Sequence, residues 1–149
     1  MKLKTKFFII AILAAMYSCN TKQNVLPIIG TWELISATTT EGDSTFSTFN
    51  PKQKMIKIIN PTHFAFLNHA LSAEKDTSKS TFTAGGGSYT LLDSNYTEHL
   101  DYYIDKVWEN NKFQFVVKIS NDTLIQKGIE KLEKLGIDRV IIEKYKRVK

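Results

Sequence analysis

Apolar and polar residues alternate along eight stretches of the chain: 32–37, 54–59, 63–67, 88–92, 96–103, 112–119, 123–127 and 139–145. A period of two marks a strand with one buried face, so each stretch predicts a β-strand. The gaps between them carry turn-forming residues, "EGDST", "NP" twice, "DSN", "WENN" and "SND". Short strands so spaced, with few helical patterns between them, predict an antiparallel sandwich or barrel and argue against helices alternating with a parallel sheet. Two stretches break the pattern. "ALSAEKDTSKST", residues 70–81, is polar and reads as a mobile loop, while "IEKLEKLG" offers Ile129, Leu132 and Leu135 as the stripe of a short helix over 129–135 stopped by Gly136.

The first residues follow a different rule. Lys2, Lys4 and Lys6 precede an unbroken apolar run from Phe7 to Tyr17, the arrangement of an export signal. The run has 11 residues, against about 20 for a membrane-spanning helix, so the segment predicts a cleaved leader. "AAMYSC" resembles a lipobox, the signal at which bacterial lipoproteins are cut before a cysteine that receives lipid; Met16 and Tyr17 depart from its usual residues, and Ser18 and Cys19 fit. The expectation is a signal peptide over 1–18, a lipidated tether over 19–27 and one domain over 28–149. That places the domain outside the cytoplasm of a bacterium, held by Cys19 to a membrane, the outer one by preference. Cys19 is the sole cysteine, so the chain forms no internal disulfide.

Cleavage changes the charge. The leader removes three of the 20 Lys and Arg and none of the 15 Asp and Glu, leaving 17 against 15, or +2. The isoelectric point near 9.2 is therefore a property of the precursor and no argument for a nucleic-acid partner. The clustered Lys144, Lys146, Arg147 and Lys149 read as a solvated strand edge.

The triple glycine of "FTAGGGSYTLLDSNYTEHL" is the one place that suggests a phosphate loop. Such a loop needs a helix N-terminus behind the glycines and a Gly-Lys-Ser/Thr at fixed spacing. Here Ser88 to Leu92 alternate like a strand and no lysine follows, so the glycines predict a bulge, a bend or a close approach of backbones. His63 and His69 stand roughly 20 Å apart on an extended strand, too far for one ion. No G-x-S-x-G and no spare cysteine supply a nucleophile. The expectation is a non-enzyme without metal or cofactor.

On 96–103, Tyr96, Glu98, Leu100 and Tyr102 share one face and Thr97, His99, Asp101 and Tyr103 the other. The first face is the more apolar, which makes Glu98 an inward acid needing a partner or a raised pKa. A structural pairing with Lys57 or Arg147 is the favoured reading; a ligand contact is the other. His99 with Asp101 is the sole start for an enzymatic site.

"GTWELIS", "KMIKIINPTHFAF", "FTAGGGSYTLLDSNYTEHL" and the closing "YKRVK" together resemble a family of bacterial lipocalin-like (calycin-type) lipoproteins with no assigned molecular activity. The likeness covers nearly all of 28–149 and excludes "ALSAEKDTSKS" and "KGIEKLEKLGID". It implies a lipocalin-like antiparallel up-and-down β-barrel of about eight strands, closed at one end by Trp32 of the G-x-W motif with Arg147 over its ring. It further implies an extracytoplasmic address; the expectation for function is a lipid-anchored, non-catalytic protein holding a small hydrophobic molecule in the barrel mouth, for which Phe64, Phe66, Tyr89, Tyr96, Glu98 and Gln126 are the candidate lining. The alternative is a structural or protein-interaction module whose barrel is filled by its own side chains. A cavity of several hundred Å³ separates the two.

Overall fold

The computed structural model describes residues 26–71 and 82–149. The expected signal over 1–18, Cys19 and most of the tether lie outside the described residues, as does most of the expected loop over 70–81.

Nine strands run through the described residues: β1 (Gly30–Glu41), β2 (Ser44–Ser47), β3 (Gln53–Ile59), β4 (His63–Ala70), β5 (Phe82–Leu92), β6 (Asn95–Tyr103), β7 (Asn111–Ser120), β8 (Thr123–Leu132) and β9 (Ile137–Arg147). All pair antiparallel, in the order β2-β1-β3-β4-β5-β6-β7-β8-β9, and β9 returns to β1. The result is a closed eight-stranded up-and-down barrel with β2 attached outside the ring: the alternation predicted a sandwich or barrel, and the resemblance implied this lipocalin-like form. Closure gives every barrel strand a partner on each side and leaves no long free edge.

Local chemistry explains the tight connections. Asp93, Asn110 and Asn121 sit at turn corners with positive φ, which Asx side chains tolerate better than most. Two strand readings need correction. The four residues of β2 fall in the "EGDST" gap and its wake, and all four are exposed, so no apolar alternation announces them. The short helix expected over 129–135 does not form: β8 runs on to Leu132 and only Glu133–Leu135 make a 3-10 turn, ended by Gly136 in a left-handed conformation. Leu124, Gln126 and Leu132 are buried while Ile129 is 57% exposed, so the apparent stripe of three mixes both faces of a strand.

The core follows the inward faces. Trp32, Ile28, Ile59, Val117, Leu124, Tyr145 and Tyr96 are buried, the last of them belonging to an aromatic row in which Tyr89, Tyr96 and Phe115 stand 5.1 and 6.5 Å apart, centroid to centroid. At the far end Phe66, Tyr103, Trp108 and Phe113 form a second row at 6.0 to 6.2 Å.

The bend expected at the triple glycine is present. Between β5 and β6 the register shifts at Gly86/Gly87, where Gly87 pairs with Leu100 but Gly86 with Tyr102. Asp101 is the extra residue of this bulge, and its Oδ2 accepts from Ser88 N at 3.0 Å and Ser88 Oγ at 3.3 Å. A side chain at Gly87 would run into the His99 carbonyl, and one at Gly86 into the Phe64 carbonyl. The glycines are there because neighbouring backbones come too close for a Cβ.

Candidate functional site

One end of the barrel is plugged. The Arg147 guanidinium lies 4.0 Å from the Trp32 ring centroid and donates to the carbonyls of Ile29 and Pro27 at 2.9 and 2.6 Å. Trp32 Nε1 donates to Ile28 O at 2.7 Å. Gly30, with φ of 144°, leaves the space that the guanidinium occupies. A ring fully removed from water, a cation on its face and two carbonyls on that cation make a cap that ties the start of the domain to its last strand.

The middle of the barrel holds charge. Lys57 Nζ donates to Glu98 Oε1 at 2.7 Å and to Gln126 Oε1 at 3.0 Å. The ammonium also stands 5.7 Å from the Phe64 ring and 5.4 Å from the Tyr145 ring. Both charged side chains are almost fully buried. Burial pushes the Glu98 carboxyl above its usual range, and Lys57 opposes the rise without cancelling it. The Tyr96 hydroxyl is buried beside Glu98 but reaches no hydrogen-bond partner among the described residues; burial first, then the Glu98 charge, raises its pKa. Tyr145 donates its hydroxyl to Glu143 Oε2 at 2.7 Å. Further along, Arg139 grips Glu130 Oε2 through Nη2 at 2.6 Å and Nε at 2.7 Å, and burial raises Glu130 against that pull.

The six residues expected to line a ligand site all point inward, but they do not converge. Phe64, Glu98 and Gln126 meet around Lys57. Tyr89 and Tyr96 belong to the aromatic row near the plugged end, with the Tyr89 hydroxyl donating to Asn60 O at 2.8 Å. Phe66 stacks at the opposite end against Tyr103. Of the two partners considered for Glu98, Lys57 is the one it has; Arg147 is at the Trp32 cap. Asp101 is exposed on the outer wall, and His99 is half-buried on the opposite face to Glu98. Among the described residues no group of three or more His, Cys, Asp or Glu could hold a metal ion.

Open space lies elsewhere. β1 pairs with β3 only from Gly30 to Glu33; beyond a bulge between Leu34 and Ser36 it turns to β2. The parting leaves a cavity of about 160 Å³, away from the Trp32 end, lined by Leu34, Ala37, Phe49, Met55, Asn68 and Glu143 among others. Asn68 Oδ1 is buried and without a partner. A second space is a shallow groove of about 590 Å³ on the outer wall over Gly85, Gly86 and Gly87, bordered by Leu67, Phe82, Tyr102 and Ile104. Asn68 and Glu143 were not visible from the sequence as site residues. Both share the inward face of their strands, Asn68 with Phe64 and Phe66, Glu143 with Tyr145, and that shared parity is the signal that could have found them.

Compared with known proteins, the chain matches no family model and no curated protein.

Proposed function

We propose that this chain is a lipid-anchored, extracytoplasmic and non-catalytic barrel that binds a small molecule at its open end. The cavity between β1 and β3 carries the reading: it is a half-open space in which Leu34, Ala37, Phe49 and Met55 stand beside Gln53, Glu143 and a buried amide oxygen of Asn68 without a partner. Such a mixture of apolar lining and a few convergent polar groups is what a ligand site needs. At about 160 Å³ the cavity falls short of the several hundred Å³ expected of a barrel-filling ligand, and it suits only a small ligand or the end of a longer one. The barrel centre is occupied by Lys57, Glu98 and Gln126, which satisfy one another, so Glu98 serves the fold and not the ligand. The basic leader and Cys19 support an envelope address. The resemblance of the cap residues Gly30, Thr31, Trp32 and Arg147 to lipocalin-like lipoproteins supports the binding class.

The experiment is native mass spectrometry of protein purified from its own host's membranes. A co-purifying small molecule is expected; protein repeatedly free of any adduct would overturn the reading.

A second reading is supported by the groove over the triple glycine. Phe82, Tyr102 and Ile104 are 59, 70 and 73% exposed around it, a contiguous apolar border of the kind that marks interaction sites. In this reading the filled barrel is a protein-interaction module. Tyr102→Ser together with Ile104→Ser would then abolish capture of a partner while leaving small-molecule adducts intact.

A further inference from the structure

The cavity between β1 and β3 has a one-sided chemistry. Its polar lining is Glu143, Asn68, Gln53, Thr48 and Asn50, so its one charged side chain is a carboxylate, and no Lys, Arg or His contributes to it. Glu143 Oε2 accepts from the Tyr145 hydroxyl, and its other carboxylate oxygen has no protein partner among the described residues. Asn68 donates one of its two amide hydrogens to Gln53 Oε1 at 3.2 Å, and its Oδ1 is a buried acceptor without a partner. The nearest interior cation, Lys57, is committed to Glu98 and Gln126. The space therefore carries one carboxylate and no cationic side chain, and it holds an acceptor, Asn68 Oδ1, without a partner.

Physical chemistry limits what can fill it. A buried acceptor without a donor is unfavourable, and the partly buried Glu143 carboxylate draws a cation. An anion would add repulsion, and an alcohol brings one O–H and no charge. An ammonium group brings three N–H donors and a positive charge, enough to meet Asn68 and Glu143 together. Its hydrocarbon part would lie on Leu34, Phe49 and Met55, which form the apolar wall.

We propose that this cavity is a binding site for a primary ammonium group carried on a short hydrocarbon body, with Glu143 as counter-charge and Asn68 as hydrogen-bond acceptor. This deepens the small-molecule reading and rests on it. A liquid water occupies about 30 Å³, so the cavity's 160 Å³ fits an alkylammonium of a few carbons and excludes a bulky amine.

The test is titration of the full-length protein with n-butylammonium, n-butanol and butyrate, followed by calorimetry and by the NMR signals of the Asn68 and Gln53 side-chain amides. Butylammonium is expected to shift those signals and bind at least tenfold more tightly than butanol, with butyrate silent. Glu143→Gln, which keeps an acceptor for Tyr145, should weaken butylammonium at least tenfold. Asn68→Asp, which adds charge at the same place, should tighten it, and it keeps the test open if the first variant fails to fold. Equal binding of butanol, any preference for butyrate, or no shift with any probe would overturn the assignment. If a molecule co-purifies but butylammonium shows no advantage, the ammonium assignment falls and the binding reading stands; if nothing co-purifies and no probe binds, both fall.

Discussion

Lys57 Nζ lies 2.7 Å from Glu98 Oε1 in the middle of the barrel, with both side chains almost wholly removed from solvent. Register accounts for the meeting. Lys57 faces Trp32 across β1 and Phe66 across β4, while Glu98 and Gln126 are the inward residues of β6 and β8 at the same depth. An ion pair so buried loses in desolvation much of what it gains in attraction. Gln126 fills a further hydrogen-bonding position of the ammonium and makes the arrangement self-sufficient.

Breaking that pair from one side should be costly in a pH-dependent way. Lys57→Met leaves Glu98 buried without its cation, and a loss of about 3 kcal/mol at neutral pH is expected, the lower end for a broken buried pair. Glu98 already sits above its usual value near 4.5 in the fold, so the folded state holds that proton more tightly than the unfolded chain. The stability tied to it is whole below about 4.5 and drains away as pH rises through the folded value. Without Lys57 the folded value lies higher still and the loss continues further. Urea melts should show the gap between wild type and Lys57→Met constant at first and widening once pH passes the folded wild-type value of Glu98, where the wild-type loss ends and the variant's continues. A gap independent of pH would show that Glu98 does not respond to Lys57.

The cap makes a second expectation. Trp32→Ala should cost about 3–5 kcal/mol, as expected for a fully buried aromatic ring. Arg147→Ala, at the half-exposed rim, should cost about 1 kcal/mol. Chemical denaturation measures both, and neutrality of the two would separate the G-x-W motif from barrel closure.

Gly87→Ala places a methyl against the His99 carbonyl. Backbone must move to admit it, so a loss of about 1–3 kcal/mol is expected. A melting temperature equal to wild type would remove the close-approach account of the triple glycine.

Cys19→Ser tests the anchor. The variant should leave the membrane fraction and lose fatty-acid labelling, since stable attachment requires the acyl chains. Retention after a carbonate wash would contradict lipidation.

Eight of the nine strands were legible because apolar side chains mark their inward faces every second residue. β2 was not, since all four of its residues face water. The second half of β8 was disguised because Gly128 and Glu130 occupy inward positions, so Ile129, Leu132 and Leu135 stood out at a spacing that mimics a helix. Glu98's inward direction and the short choice of its partners could be read from parity alone. Which partner it takes could not, because that depends on the depth at which β3 and β6 meet across the barrel. Asn68 and Glu143 become a site only where β1 bends away from β3, and a bulge of one residue leaves little trace in a hydrophobic pattern.

The central claim is that the ligand site is the cavity beside Asn68 and Glu143 and that the Lys57–Glu98 centre is architecture. Native mass spectrometry of wild type, Asn68→Leu and the double variant Lys57→Met/Glu98→Leu, each purified from its own host's membranes, tests it most directly. Asn68→Leu deletes the free acceptor and puts an aliphatic side chain in its place. The double variant removes both buried charges together and avoids leaving either one unpaired. The account predicts a small-molecule adduct on wild type and on the double variant and none on Asn68→Leu. An adduct that survives in Asn68→Leu and disappears from a folded double variant would place the ligand at the barrel centre and contradict it.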